Sequence, residues 1–395
     1  MQLSFKGLQY VVGTPEIVEN MQNVRRLRPF DCDVISFLND LSSELRKNRG
    51  YPDVATFGFW CRKAALLQEK EKYDDVSERF GKGIVFHSTP SNVPVNFAFS
   101  FAAGLLAGNA NIVRLPGKPF EQAGIISDAI SRLLGHNHKN MAPYIAFVKF
   151  PPMKEISDAF SALCNVRVIW GGDMTVDELR QSKIPARTTE ITFADRHSIA
   201  VIDADAYLAE ERKDAVIQNF YNDTYYSDQN ACTSPRIIFW KGDKTAEAKA
   251  DFWKRVHGLV IEKYSLAPVQ SVGKLNAMYS VASQKKVKLE NSQDMFITRL
   301  AVNEIQKDLM DYKYNSGFYF EKDIDSLDDI VNVCDIRCQT VTYFGVKEEE
   351  FRQFLEESRP IGIDRIVPMG KSMDFALIWD GYDLIRQMSR KVTII

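Results

Sequence analysis

Residues 83–116 read GIVFHSTPSNVPVNFAFSFAAGLLAGNANIVRLP. The short apolar run GIVFHS ends in a turn that carries Pro90 and Pro94, and residues 93–107 then form an almost wholly apolar run. That run is shorter than the ~20 residues a membrane span requires. Pro94 and Asn96 interrupt its start and Gly108-Asn109 closes it, so the pattern predicts a buried helix rather than a span. NIVRLP follows as a second apolar strand. A strand, a helix and a strand in this order specify a right-handed crossover and a parallel sheet.

The alternation continues on the C-terminal side. The helical pattern FEQAGIISDAISRLL precedes YIAFVKF, and EISDAFSALC precedes VRVIWGG, which together predict a Rossmann-like domain. A second series starts after Asp195: SIAVIDA, a helix through AYLAEERKDAVIQNFYNDTYY, PRIIFWKG, QTVTYFGV and a helix through KEEEFRQFLEES. The expected fold is α/β, with two Rossmann-like parallel-sheet domains. The first covers 1–195, with 360–395 as a candidate completion, and the second covers 196–359. Before residue 83, amphipathic helical patterns such as VISFLNDLSSELRKN lead into the first sheet. At the other end, LIRQMSRKVTII reads as a helix running into a β-branched strand over 386–395. Such a strand needs a pairing partner, and a subunit interface would supply one, so a homo-oligomer is expected.

Composition narrows the function. The 50 Lys and Arg against 52 Asp and Glu leave a formal charge of −2, which gives no footprint for nucleic acid or anionic lipid. Small-molecule chemistry is the default. The six cysteines are scattered without a C-x-x-C pair and the opening residues lack a signal-peptide pattern, which predicts reduced thiols in the cytoplasm. Cys334 and Cys338 are read as packing residues, with no metal site.

Three short segments stand at element junctions. Thr89-Pro90-Ser91-Asn92 follows the first strand, where Asn92 is either a helix cap or an amide positioned to donate to an oxyanion. Gly171-Gly172 follows VRVIW, as a simple turn or as a place of close backbone approach to a ligand. Cys232 lies in SDQNACTSPR, a polar loop that can display a reactive thiol, although a lone cysteine is more often inert. Taken singly, none of these segments decides between the two readings.

Their order does. Pro90-Ser91-Asn92-Val93-Pro94 resembles the P-W-N-F-P motif of aldehyde dehydrogenases, IWGGDMTV their F-T-G-S-T-x-x-G loop and DQNACTSPR their cysteine loop. The long stretches 83–116 and GIDRIVPMGKSMDFALIWDGYDLI are similar to the fatty acyl-CoA reductase family of bacterial luminescence. The resemblance runs from about Gly50 to the C-terminus. It implies that Cys232 attacks a thioester carbonyl while Asn92 and the Cys232 backbone N–H stabilise the oxyanion, and that hydride from a nicotinamide cofactor releases aldehyde. The acyl donor would be acyl-CoA or an acyl group handed over by a partner protein. An aldehyde dehydrogenase, an acyl-phosphate reductase and a catalytically silent binding subunit are the alternatives.

Departures from the aldehyde dehydrogenase pattern refine these expectations. Thr192 aligns where a hydrolytic glutamate would stand, with Glu190 two residues away. In NIVRLPGK a carboxylate that would bind ribose hydroxyls is replaced, and Arg114 and Lys118 favour the 2′-phosphate of NADPH. Thr89, Pro90, Ser91, Gly171 and Gly172 complete the expected cofactor contacts. Glutamine stands at minus three from Cys232 rather than minus two, and Val176 replaces the second glycine of the IWGGDMTV motif. His87 and His197 are read as structural. Phe97, Phe99, Phe101, Met369, Met373, Phe375 and Trp379 are candidate walls of an acyl tunnel, with core packing as the commoner explanation.

Overall fold

The computed structural model describes residues 5–90, 93–290 and 294–395. The chain divides into two compact units, Met1–Ala194 with Phe375–Ile395, and Asp195–Asp374.

Among the described residues of the stretch up to Ala194 the strands are β1 (Gln9–Val12), β2 (Arg79–Gly81), β3 (Ile84–Ser88), β4 (Ala110–Arg114), β5 (Ile145–Lys149), β6 (Val166–Trp170) and β7 (Thr189–Phe193). Its helices are α1 (Pro15–Asn20), α2 (Cys32–Leu45), α3 (Pro52–Trp60), α4 (Lys63–Lys70), α5 (Asn96–Leu106), α6 (Glu121–Gly135), α7 (Lys154–Leu163) and α8 (Asp173–Arg180). The main sheet has the order β1-β5-β4-β3-β6-β7. Strands β3 to β7 pair in parallel and β1 is an antiparallel edge. Every residue of β3 is buried, as expected for a strand covered by helices on both faces.

Helix α5 forms as the apolar run predicts, with Phe97 and Phe101 fully buried against the ring of Phe147 at 5.8 and 4.9 Å. Each contributes on the order of 1.5–3 kcal/mol by its burial. These two rings are therefore core. Gly104 lets α5 sit down on β4: a Cβ there would fall 2.0 Å from Asn111 Oδ1. Asn111 in turn binds His87 Nε2 at 2.9 Å, and Ser100 binds Nδ1 at 2.7 Å, so His87 is a satisfied core histidine whose pKa burial pushes down to about 4.

Among the described residues the second unit has β8 (His197–Asp203), β9 (Pro235–Lys241), β10 (Val287–Leu289), β11 (Thr298–Val302), β12 (Phe318–Ile324), β13 (Cys338–Phe344) and β14 (Arg365–Pro368). They form one sheet in the order β10-β11-β12-β9-β8-β13-β14, parallel except for β10. Its helices are α9 (Ala204–Ala209), α10 (Lys213–Asp223), α11 (Thr245–Lys263), α12 (Pro268–Gln284) and α13 (Glu348–Ser358). The single helix expected over 206–226 is thus two, α9 and α10, with a 3₁₀ turn at Tyr225–Ser227. The break is stabilised by Lys213, whose ammonium donates to the carbonyls of Leu208 and Glu210 at the end of α9, both at 2.8 Å.

The chain returns to the first unit at Phe375, through β15 (Ile378–Trp379), β16 (Tyr382–Asp383), α14 (Leu384–Met388) and β17 (Ser389–Lys391). The C-terminal strand is shorter than 386–395 because Asp383 caps α14 by accepting from Arg386 N at 3.0 Å. It also finds its partner at home. β17 pairs antiparallel with β2, Ser389 opposite Gly81 and Lys391 opposite Arg79.

Candidate active site

In the first unit the chain builds β3, β4 and β5 to one side and then β6 and β7 to the other, so the order reverses between β3 and β6. Ligands of open α/β sheets bind outside the carboxyl ends of strands at such a reversal. Thr89 and Pro90 leave β3 there and Gly171 leaves β6. Thr89 Oγ1 donates to the carbonyl of Arg114 at 2.5 Å, which ties the end of β3 to the end of β4. The Arg114 guanidinium lies over the Phe150 ring, 4.4 Å from its centroid, half-buried, and burial lowers its pKa against an opposing pull from Glu178. Lys118 is exposed in the turn beyond.

The two glycines differ in their reasons. A Cβ on Gly171 would meet the Thr175 side chain at 2.9 Å, so the turn onto α8 already requires glycine there. Around Gly172, the N-cap of α8, a Cβ would meet nothing within 4 Å, and this face of the turn is open. Val176 is buried in α8 against Ile169 and Leu179. Ser91 and Asn92 lie outside the described residues.

Glu190 and Thr192 share one face of β7. The Glu190 carboxylate is bound by Arg167, and by Arg180 Nε at 2.8 Å. Burial pushes its pKa up, but these two guanidiniums outweigh burial and hold it below the usual carboxylate range. A carboxylate tied in this way is a poor general base.

The second unit displays Cys232 on the loop from α10 to β9. Cys61, Cys164, Cys334 and Cys338 are buried, Cys32 is exposed at the start of α2, and Cys232 is half-exposed. Burial pushes the Cys164 thiol up to about 12 and holds Cys61 well above the ordinary range. A bond with Cys334, together with burial, does the same for Cys338. His197 accompanies that pair, Nε2 lying 3.2 Å from the Val333 carbonyl.

The loop is braced from several directions. Asp228 and Gln229 both adopt left-handed backbone, φ 53° and 52°, a conformation that needs outside support in non-glycine residues. Asp228 accepts from Tyr264 Oη, from Gln270 Nε2 at 2.9 Å and from Ser316 Oγ at 2.8 Å. Gln229 is fully buried and bonds like a piece of strand: its Oε1 accepts from Gly317 N and Phe318 N at 2.7 and 3.1 Å, and its Nε2 donates to the Pro235 carbonyl at 3.1 Å. The displaced glutamine of the sequence is thus the loop's anchor. Ser198 Oγ donates to the Cys232 carbonyl at 2.7 Å, and Thr233 Oγ1 to Met373 Sδ at 3.3 Å.

These contacts place Cys232 at the amino ends of β8 and β9. The carboxyl-end rule for parallel sheets, applied to this unit alone, points to the other edge, where a charged recess is lined by Asp205, Lys213, Lys244, Glu247, Asp251 and Arg255. That recess holds no cysteine. The glutamate of GFYFEKDIDSLDDI, Glu321, is buried and accepts from Trp240 Nε1, Trp253 Nε1 and Arg299 Nη1 at 3.0, 2.6 and 3.0 Å, so it is a structural hub.

Comparison with solved structures defines the class. The chain matches a lactaldehyde dehydrogenase from Escherichia coli over 99% of its own length and 96% of that chain, with a TM-score of 0.65 at 11% identity. It matches a 3,6-anhydro-L-galactose dehydrogenase in complex with NAP over 95% of its length and 88% of that chain, with a TM-score of 0.62 at 13% identity. The fold is that of the aldehyde dehydrogenases. Within it, residues 62–391 match the family model described as acyl-CoA reductase (LuxC), and the chain belongs to that family. A curated relative, the long-chain acyl-protein thioester reductase of Vibrio harveyi, is 24% identical over 336 residues. The match covers 80% of this chain and 64% of the relative's own length, so the chain spans just under two thirds of it.

Proposed function

We propose that the protein reduces an acyl thioester to an aldehyde, with Cys232 as the covalent nucleophile and NADPH as the reductant. The observation that carries this reading is the bracing of the cysteine loop, which holds a half-exposed thiol on two left-handed residues while four other cysteines are buried. Family membership and the name of the Vibrio harveyi relative support an acyl substrate on a thiol carrier.

The Cys232 thiolate attacks the carbonyl carbon, and the oxyanion is stabilised by Asn92 and the Cys232 backbone N–H. Collapse expels the carrier thiol, CoA or a partner protein's, and leaves an acyl-cysteine. With Glu190 bound to two arginines and Thr192 in the other position, neither of these two residues supplies a base for hydrolysis, so the acyl group survives until it is reduced. NADPH, when bound, supplies the hydride. Thr89, Pro90, Ser91, Gly171 and Gly172 would hold it at the carboxyl edge of the first sheet, where the open face at Gly172 leaves room, with Arg114 and Lys118 facing the 2′-phosphate. No helix of the described residues is long and apolar enough to cross a membrane. We place the enzyme in the cytoplasm, and with β17 paired to β2 the terminal strand no longer argues for a homo-oligomer.

The test is to incubate the protein with radiolabelled acyl-CoAs of several chain lengths without cofactor, comparing wild type with Cys232→Ala. NADPH or NADH is then added and aldehyde assayed. Label that requires Cys232 and is chased into aldehyde, faster with NADPH, is expected. Label that persists in Cys232→Ala would sink the covalent mechanism, and equal kcat/KM for the two cofactors would sink the NADPH assignment.

A further inference from the structure

Two buried cations lie beneath the cysteine loop. Arg236, on β9, sends Nη2 to the carbonyl of Gln229 and Nη1 to the carbonyl of Tyr314 and to Asn315 Oδ1, both at 2.6 Å. Its three bonds fall on two backbone carbonyls and an amide oxygen, none of them a carboxylate. Lys274, on α12, is fully buried and donates to the carbonyls of Met295 and Ser316 at 2.6 and 2.7 Å. Arg236 lies within electrostatic range of the Cys232 thiol, and burial lowers its own pKa to about 10, which leaves it charged at neutral pH.

We propose that Arg236 is a positioning residue for the reaction, supplying fixed positive charge that keeps Cys232 ionised as well as bonding the loop that carries it. The inference rests on the reading of Cys232 as the nucleophile. A cation held by neutral oxygens in a low-dielectric site keeps its field, whereas one paired to a carboxylate spends it on the partner. The other charged and titratable groups near Arg236 are Tyr319 from β12, Asp228 of the loop and Asp195 at the start of the unit. Asp195 is bound to the Lys313 ammonium at 2.8 Å, and Asp228 is bound by Tyr264, Gln270 and Ser316, with Lys274 also within its range. Arg236 is thus a cation in electrostatic range of Cys232 whose own bonds all fall on neutral oxygens.

Asn315→Asp offers a test made on a partner of Arg236 rather than on Arg236 itself. It sets a carboxylate against Nη1 but loses the bond from Asn315 Nδ2 to Asn230 Oδ1 at 2.5 Å and adds a charge of its own near the loop. Asn230→Asp, which adds the same charge to the loop and keeps an acceptor for Asn315, is its control. The rate of Cys232 alkylation by iodoacetamide, followed by mass spectrometry from pH 6 to 10 on the full chain, gives the pH midpoint of ionisation. In wild type the midpoint is expected below the ~8.5 of an ordinary cysteine. Asn315→Asp and Arg236→Gln should raise it by about one unit or more, and Arg236→Lys should restore most of the wild-type value. A wild-type midpoint at the ordinary value, or a low midpoint that Asn315→Asp leaves in place, overturns the proposal. Should Arg236→Gln not fold, the comparison of Asn315→Asp with Asn230→Asp decides, and a rise no larger in Asn315→Asp overturns the proposal. A low, Arg236-dependent midpoint without acyl labelling of Cys232 would instead overturn the thioester reading and leave the role of Arg236 standing.

Discussion

Glu190 shows how a residue's chemistry is set by its partners rather than its identity. From the sequence it stood two residues from Thr192, which aligns where a hydrolytic glutamate would stand. In the fold it neutralises Arg167, which is almost fully buried and also donates to the carbonyls of Leu179 and Ser182 at 2.9 and 2.8 Å. Removing the carboxylate leaves a buried guanidinium without its counter-charge, which typically costs about 3–5 kcal/mol. Glu190→Gln is therefore expected to lower Tm markedly while leaving the lifetime of the acyl-enzyme unchanged. Unfolding curves and the decay of labelled enzyme without cofactor would check both halves, and a longer-lived acyl-enzyme in the variant would restore Glu190 as a base. The neutral state of His87 was likewise legible only in outline, because its partners Ser100 and Asn111 come from α5 and β4.

At the scale of elements, α10 and the loop that follows it form one working part. Asp223, at the end of α10, accepts from Gly370 N at 2.6 Å and from Ser372 N and Oγ at 3.1 and 2.8 Å, fastening the segment after β14. Burial raises its pKa to about 6 despite these bonds. A carboxyl whose folded pKa lies above its unfolded value of ~3.9 favours the fold at low pH, and that contribution is lost as pH rises from about 4 to about 6. Asp223→Asn should remove this slope, which amounts to roughly 2–3 kcal/mol at most, while losing the Gly370 bond at about 1 kcal/mol. Urea unfolding of both proteins at several pH values between 4 and 7 measures the difference, and parallel curves would refute it. The strand and helix alternation around these parts was readable because buried parallel strands are short apolar runs. The division of α9 from α10 was not, since it depends on where one lysine side chain turns.

At the scale of the molecule, the first unit is discontinuous and the second is not. Leu377, Trp379, Leu384, Ile385 and Met388 return to the first unit's core, each no more than 7% exposed. At ~1.5–3 kcal/mol apiece they supply about 7–15 kcal/mol, as much as the whole stability of a typical domain, ~5–15 kcal/mol. A chain ending at Asp374 should therefore fail to fold its first unit, whereas a 195–374 fragment, with its own cores, should unfold cooperatively on heating. Circular dichroism of the two fragments would settle it, and a folded 1–374 chain would contradict the argument.

The sequence by itself determined the α/β class, the run of strands and helices, the family and the cysteine worth testing, because periodicity and local motifs are properties of neighbours along the chain. Tertiary structure alone decided that Glu190 is an ion-pair partner, that Gln229 is the loop's anchor, that β17 pairs with β2, and that a buried arginine without a carboxylate bond holds the loop of Cys232. Each of these rests on groups far apart in sequence, such as Gln229 with Phe318 and Asp228 with Ser316. Burial and charge at a point are sums over everything that packs there, and no local pattern carries that sum.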